Sequence, residues 1–215
     1  MNIKACIFDL DGVIVDTAIY HYKAWRRLAN SLGFDFTAEQ NEELKGISRI
    51  DSLKIILNWG SIEKTDEEME VLATQKNNWY VAMIKEMTPA QILPGAKEFL
   101  ELAKANHLFI ALGSASRNSA LILKQIGLSH YFDVLVDGNK VTKSKPDPEV
   151  FLVAARELNM DPENCVVFED AIAGVQAAKA GKMKVVGIGS SEILTEADLV
   201  VSGLHEMTID KLHML

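Results

Sequence analysis

The sequence reads Lys4-Ala-Cys-Ile-Phe-Asp9-Leu-Asp11-Gly12 at residues 4–12, a short apolar run followed at once by two aspartates and a glycine. Such a run is too brief for a helix and predicts a buried strand of a parallel sheet. Similar runs follow at residues 107–113, 133–136, 165–168 and 184–188. Helical patterns separate them, at residues 94–103, 119–126, 148–158 and 170–180. Alternating strands and helices predict an α/β fold, a Rossmann-like doubly wound parallel sheet.

A long helical insert follows the first strand. Its predicted helices cover residues 18–32, 39–45, 49–59 and 65–86. Because the insert leaves the carboxyl end of the first strand, it must lie where open α/β sheets bind their ligands. We therefore predict an α/β catalytic core domain of residues 1–15 and 89–215, and an all-helical cap domain of residues 16–88. Its hinges are expected near residues 14–17 and 87–92.

Composition limits the class of protein. The 215 residues are 48% hydrophobic and 24% charged, which is typical of a globular chain with a substantial core. Thirty acidic against 22 basic residues give a formal charge of −8, which disfavours a nucleic-acid partner. Cys6 and Cys165 lie in apolar runs and are expected to be buried, reduced thiols. With neither a leader pattern nor a membrane-length apolar stretch, we expect a cytoplasmic monomer without a membrane partner.

The two aspartates after the first strand carry the strongest chemical signal. A single Asp there would be typical of a solvated turn, but two carboxylates at a strand end in a crevice need a partner cation. Beside Mg²⁺, an ionised Asp9 can act as a nucleophile towards phosphorus. A second carboxyl, Asp11, can then transfer protons.

This pattern resembles the haloacid dehalogenase superfamily of phosphotransferases, whose first motif is Asp-x-Asp-Gly. Three further motifs occur in the family's order: Ser114 between a strand and a helix, Lys145 in Ser-Lys-Pro-Asp-Pro, and the pair Glu169-Asp170 after Val-Val-Phe. Each has a structural alternative when taken alone. The serine could be a plain N-cap, the lysine a surface residue, and the acidic pair the first turn of a helix.

The resemblance implies roles for these residues. Asp9 would attack phosphorus, Asp11 would act as acid and base, and Ser114 and Lys145 would balance charge on the phosphoryl oxygens. The implied cofactor is Mg²⁺. Its implied ligands are Asp9, the backbone carbonyl of Asp11, Glu169 and Asp170.

The insert offers candidate substrate contacts. Thr17, His21 and Trp25 are four residues apart and form one stripe on the first predicted cap helix. Further on, Gly46 precedes Arg49, whose guanidinium could hold a phosphate by two hydrogen bonds. The structural alternatives are a core histidine for His21 and a surface position for Arg49. Lys76 could equally be a solvated lysine.

The cap and core patterns together are similar to the sugar-phosphate mutase branch of this superfamily. That resemblance implies interconversion of β-glucose 1-phosphate and glucose 6-phosphate through a bisphosphate, and small-molecule sugar phosphates as partners. The implied substrate-binding residues are Thr17, His21, Trp25, Gly46, Ile47, Arg49, Ser52, Lys76, Ser116, Arg117 and Asn118. Arg117 departs from the family pattern, which has lysine there. Residues 137–143 receive no role.

Two other functions remain open. A sugar-phosphate or phosphoglycolate phosphatase would have the same core, with a lid that admits water. A receiver-type phospho-acceptor domain would also phosphorylate an Asp, but its acceptor would not follow the first strand with a long helical insert behind it.

Overall fold

The computed structural model describes residues 3–44 and 47–215. Its centre is a parallel sheet in the order β3-β2-β1-β4-β5-β6. The strands are β1 Ala5–Phe8, β2 Phe109–Gly113, β3 Val134–Val136, β4 Cys165–Glu169, β5 Lys184–Ile188 and β6 Leu199–Val201. The predicted fold class is confirmed. The strand β6 was not predicted, because three residues at a sheet edge give too short a pattern to recognise.

Nine α-helices are present among the described residues. They are α1 Ala18–Ser31, α2 Ala38–Glu42, α3 Arg49–Trp59, α4 Asp66–Ile84, α5 Ala96–Ala105, α6 Ser119–Gln125, α7 Glu149–Glu157, α8 Ile172–Ala180 and α9 Ile209–His213. Short 3₁₀ helices cover Pro89–Gln91, Ser129–Tyr131, Pro162–Asn164 and Leu204–Glu206. In the described chain, no helix is both long and apolar enough to cross a membrane.

The strand β1 has two buried faces. Its four residues are all fully buried, and they alternate between two apolar clusters on opposite sides of the sheet. Cys6 and Phe8 pack on one side, whereas Ala5 and Ile7 pack with α7 and α8 on the other. A strand buried on both faces has no polar position until it ends, so Asp9 is the first residue able to face a ligand.

The helices α1 and α3, part of α4 and the segments on either side of α2 share an apolar cluster of their own, which includes Trp25, Phe36, Leu53 and Ile56. Side chains satisfy the first amides of two of these helices. The Ser48 hydroxyl accepts from the amide of Asp51, and Thr65 forms a capping box with Glu68. This separate packing agrees with a cap domain, whose predicted boundaries stay a prediction.

The two connections between core and insert lie side by side. Val15 forms an isolated antiparallel bridge with Ile92, and the Leu93 amide donates to the Ile14 carbonyl at 3.0 Å. The predicted hinge segments therefore touch each other beside the end of β1.

Candidate active site

A cleft of about 880 Å³ lies between the carboxyl ends of the central strands and the helices α1, α3 and α4. Most of the predicted site residues line it: Asp9, Asp11, His21, Trp25, Ile47, Arg49, Ser52, Lys76, Ser114, Ser116, Arg117, Asn118, Lys145 and Asp170. Glu169 and Thr17 are fully buried behind its wall. The predicted contact of Gly46 lies outside the described residues.

The floor of the cleft is a buried ion cluster. Lys145 Nζ lies 2.6 Å from Asp9 Oδ1 and 2.9 Å from Glu169 Oε2, although the two carboxylates belong to neighbouring strand ends. Burial opposes the positive charge of Lys145, but Asp9 and Glu169 outweigh it and raise the pKa of the ammonium. Lys145 is therefore a fixed cation beside the carboxylate of Asp9.

The same floor carries an excess of acid. Carboxylate oxygens of Asp9, Glu169 and Asp170 lie within 4.8 Å of one another. Burial, followed by the charges of Asp9 and Asp170, raises the pKa of Glu169 despite the attraction of Lys145. Hard oxygen ligands in this arrangement fit a divalent cation. Such a cation would neutralise the negative charge of the carboxylates that Lys145 alone does not balance.

Both oxygens of Glu169 already accept hydrogen bonds within the cluster. Glu169 Oε2 already accepts from Lys145, and its Oε1 accepts from the amide of Ala171 at 3.2 Å. Asp170 follows β4, and its carboxylate lies against Gly12. A side chain at position 12 would collide with this carboxylate, because its Cβ would occupy the same space. Gly12 also has a φ of 78°, which a side chain would disfavour. The glycine of the first motif thus admits Asp170 to the cluster.

Asp11 has a different setting. The Thr17 hydroxyl donates a hydrogen bond to Asp11 Oδ1. Burial raises the pKa of Asp11 to about 7, a shift that this hydrogen bond opposes and the charge of Asp9 increases. A carboxyl with such a pKa exchanges protons readily near neutral pH. Thr17 itself has no exposed surface, so the predicted substrate contact of Thr17 is not favoured by this geometry.

The loop after β2 brings four predicted residues to the cleft: Ser114, Ser116, Arg117 and Asn118. The amide of Ser114 donates to the Val136 carbonyl, which fixes the loop to β3. Within the loop, the Ser116 amide donates to Ser114 Oγ at 3.2 Å and the Asn118 amide donates to Ser116 Oγ at 3.3 Å. Asn118 then reaches the cap, where its Nδ2 donates to Asn77 Oδ1 at 2.9 Å.

Two guanidinium groups approach each other within the cleft. Arg49 begins α3, and Arg117 belongs to the loop before α6. Burial, and then the positive charge of Arg117, lowers the pKa of Arg49, while Tyr80 and then Glu70 oppose the shift. Arg49 is half-buried and Arg117 is exposed. Two such cations in one cleft repel each other unless an anion lies between them, so the pair is suited to a phosphate.

A second cationic feature is buried under α1 and α4. Lys76 Nζ lies 2.9 Å from His21 Nδ1 and 4.3 Å above the ring of Trp25. Burial, and then the charge of Arg49, lowers the pKa of Lys76 well below its usual value. Burial, and then Lys76, similarly lowers the pKa of His21. A neutral His21 can accept a hydrogen bond from the ammonium, so the two predicted residues act together.

Sequence reasoning missed four polar residues around the cleft: Asp51, Asn77, Tyr80 and Ser144. The Ser144 hydroxyl donates to Asp51 Oδ2 at 3.3 Å, which joins α3 to the loop that carries Lys145. Tyr80 is fully buried, and its hydroxyl donates to Thr17 Oγ1 at 3.1 Å. The one available signal was helical spacing, since Tyr80 stands four residues after Lys76 on α4.

Comparison with known proteins gives consistent matches. The model of the haloacid dehalogenase-like hydrolase family matches residues 3–182. A protein of Bacillus subtilis (strain 168) named beta-phosphoglucomutase is 42% identical over 212 residues, which cover 98% of this chain and 94% of that protein. A phosphorylated carbohydrates phosphatase of Thermotoga maritima is 34% identical over 189 residues, with 86% and 85% covered.

A solved structure also matches closely. The crystal structure of beta-phosphoglucomutase from Clostridium difficile has a TM-score of 0.95 and 44% sequence identity, and the match covers 99% of this chain and 96% of that chain.

Proposed function

The chain belongs to the haloacid dehalogenase-like hydrolase family, as its four motifs predicted, and on this premise we propose that it interconverts β-D-glucose 1-phosphate and D-glucose 6-phosphate. This is the activity of a β-phosphoglucomutase, the name that the Bacillus subtilis and Clostridium difficile relatives carry. The proposed enzyme is an isomerase that requires Mg²⁺.

The observation that carries the proposal is that one cleft holds two anion sites of different construction. At the core end, Lys145 contacts the carboxylate of Asp9, and Ser114 lines the same cleft. At the cap end, Arg49 and Arg117 line the cleft, and burial, together with the charge of Arg117, lowers the pKa of Arg49. A sugar bisphosphate carries one phosphate for each site, whereas a simple phosphatase needs only the first.

The reaction proceeds in two phosphoryl transfers. Phosphorylated Asp9 gives its phosphoryl group to the 6-hydroxyl of β-glucose 1-phosphate, and Asp11 takes the hydroxyl proton. The bisphosphate then turns around, so that its other phosphate reaches Asp9. Asp9 attacks that phosphorus, the bond to the sugar O1 breaks, and Asp11 returns the proton to O1. Glucose 6-phosphate leaves and phosphorylated Asp9 is restored.

The chain's own groups lower the barrier mainly by position and charge. Lys145 is held rigidly by two carboxylates and can neutralise an equatorial phosphoryl oxygen. Ser114 offers a hydroxyl at the start of the loop before α6, a setting suited to a phosphate. Mg²⁺, held by Asp9, Asp170 and the backbone carbonyl of Asp11, would supply further charge neutralisation on the transferred group.

The cap end selects the substrate. We assign residues 16–88 to a cap domain that closes over the core. Arg49 and Arg117 bind the distal phosphate together with Ser116 and Asn118, while His21, Lys76 and Trp25 face the sugar. The remaining proposed contacts are Ile47 and Ser52, which line the same cleft.

A coupled assay tests the proposal. Purified protein, primed with acetyl phosphate, receives β-glucose 1-phosphate. Glucose 6-phosphate formation and inorganic phosphate release are followed in parallel, with α-glucose 1-phosphate as the anomeric control. We expect glucose 6-phosphate from the β anomer alone, little phosphate release, and loss of turnover in EDTA. Phosphate release without glucose 6-phosphate would reject the mutase and favour a sugar phosphatase like the Thermotoga maritima relative.

A further inference from the structure

A directional chain of hydroxyl groups ends at Asp11. The Thr17 hydroxyl has one hydrogen, which it donates to Asp11 Oδ1. The 3.1 Å hydrogen bond between Tyr80 and Thr17 must therefore be donated by the phenol of Tyr80 and accepted by Thr17 Oγ1. Tyr80 thus determines which way the Thr17 hydroxyl points, although it does not touch Asp11 itself.

The helix that carries Tyr80 also contacts the core. Asn77, three residues earlier on α4, accepts a hydrogen bond from Asn118 Nδ2 of the loop after β2 at 2.9 Å, and Ser116 of that loop opposes the rise in the pKa of Tyr80. Burial, and then the charge of Asp11, raises the pKa of Tyr80 well above its usual value, so the phenol stays a donor. Its ring packs 4.1 Å from the ring of His21, centre to centre, and Lys76 Nζ lies 4.9 Å from its centre. The side chain of Tyr80 is fully buried among these contacts.

These contacts join three separate parts of the chain. Tyr80 belongs to α4, Thr17 to the segment that leaves the core, and Ser116 to the loop that carries Arg117. The hydrogen bond between Asn118 and Asn77 holds α4 against that loop, and the hydrogen bond from Tyr80 to Thr17 joins the same helix to the side chain that contacts Asp11.

We propose that Tyr80 is a positioning residue, which holds Asp11 through Thr17 in the orientation for proton transfer when α4 docks on the Ser116 loop. The inference rests on the proposed role of Asp11 as acid and base. It extends that role to Tyr80, which does not touch the reacting atoms. Through Tyr80, proton transfer by Asp11 depends on the docking of the cap.

Two phosphoryl donors separate this role from a structural one. During turnover of β-glucose 1-phosphate, the 6-hydroxyl must lose a proton and O1 of the bisphosphate must gain one, whereas the acetate of acetyl phosphate leaves without one. Tyr80→Phe keeps the ring and removes the hydroxyl. We expect its kcat with the sugar phosphate to fall about tenfold or more with KM nearly unchanged. Phosphorylation of Asp9 by acetyl phosphate should stay within about twofold of the wild type.

Matched variants make the test specific. Tyr131→Phe removes an exposed phenol that donates to Glu101, and it should leave both donors unaffected. Thr17→Val should reproduce the selective loss, and Thr17→Ser should restore most of the activity. The double variant Tyr80→Phe with Thr17→Val should be no slower than Thr17→Val alone, because both break one chain of hydrogen bonds.

Several outcomes would overturn the inference: equal losses with both donors, no loss with either, or additive losses in the double variant. If Tyr80→Phe does not fold, the contrast between Thr17→Val and Thr17→Ser decides whether the hydroxyl chain matters. Asp11→Asn serves as a reference. If it fails to distinguish the two donors, the proposed acid–base role of Asp11 is at fault. If it does distinguish them and Tyr80→Phe does not, only the role of Tyr80 is rejected.

Discussion

At the core end of the cleft, carboxylates surround one ammonium, whereas the cap end contains several positively charged side chains, of which Lys76 is buried. In the core, burial and neighbouring acids raise the pKa values of Asp11 and Glu169. In the cap, burial and neighbouring cations lower the pKa values of Arg49 and Lys76. Each end thus carries an excess of one charge. The excess is negative at the core end and positive at the cap end.

This difference indicates what each end binds. The core end is relieved by a cation, and the cap end by an anion. Folding has already fixed these charges in place, so little reorganisation is needed when a ligand with a phosphate reaches them. A change at the core end should therefore affect every phosphoryl transfer. A change at the cap end should affect only substrates that carry a second phosphate or become bisphosphates.

The largest effect is expected for Asp9→Asn. The amide is not a nucleophile, and Lys145 keeps Glu169 as a partner, so the fold should persist while turnover falls to background. Mass spectrometry after incubation with acetyl phosphate should find no phosphorylated protein. Asp161→Asn, which changes an exposed aspartate, is the control and should behave as the wild type. Substantial turnover by Asp9→Asn would remove Asp9 from the nucleophile role.

Asp11→Asn should slow sugar-phosphate turnover by roughly 10²–10⁴-fold, the usual contribution of a positioned acid or base. Activation by Mg²⁺ should be retained, because only the backbone carbonyl of Asp11 is a proposed ligand. Rates are measured across a Mg²⁺ titration. A weaker response to Mg²⁺ with no defect at saturation would contradict this division between side chain and backbone.

Asp170→Ala should weaken activation by Mg²⁺ by about 100-fold, towards the upper limit for changes around a metal site. Glu169→Gln should weaken it less, because both oxygens of Glu169 already accept hydrogen bonds from Lys145 and Ala171. Calorimetric titration of the protein with Mg²⁺ checks the order. Equal or reversed effects of the two variants would move the ligand role to Glu169.

The two ends of the cleft also differ in how far the sequence predicts them. Asp9 and Glu169 lie at the ends of buried strands, and the carboxyl ends of parallel strands meet at one edge, so the strand pattern alone brings them together. Lys76 and Tyr80 lie 55 and 63 residues from their partners His21 and Thr17. Helical spacing gives the face on which such residues lie, but not which helix that face meets.

The same limit explains the interpretation of Thr17. Its place in the stripe with His21 and Trp25 correctly indicated one helix face near the catalytic loop. The side chain nevertheless lies under Asp11, where it joins a hydrogen-bond chain rather than the open cleft. Spacing along one helix cannot distinguish a residue that touches a ligand from a residue that holds another side chain.

The smallest effect, and the one that separates the two ends most sharply, is expected for Arg49→Ala. Arg49 can bind only a phosphate that lies away from Asp9, so its contribution is used only when such a phosphate is present. The variant should lower kcat/KM for conversion of β-glucose 1-phosphate by about 2 kcal/mol, or roughly thirtyfold, the scale of a lost charge-assisted hydrogen bond. Hydrolysis of acetyl phosphate, which uses only the core end, should change far less.

The exposed cap residue Arg26, paired with Asp35 at 2.7 Å, provides the matched control. Arg26→Ala removes the same side chain from the same group of helices without touching the cleft, and it should alter neither activity. The decisive quantity is the ratio of the two activities in each variant. If Arg49→Ala lowers both activities equally, Arg49 does not bind a distal phosphate. The functional contrast between the two ends then disappears, and the results favour a phosphatase.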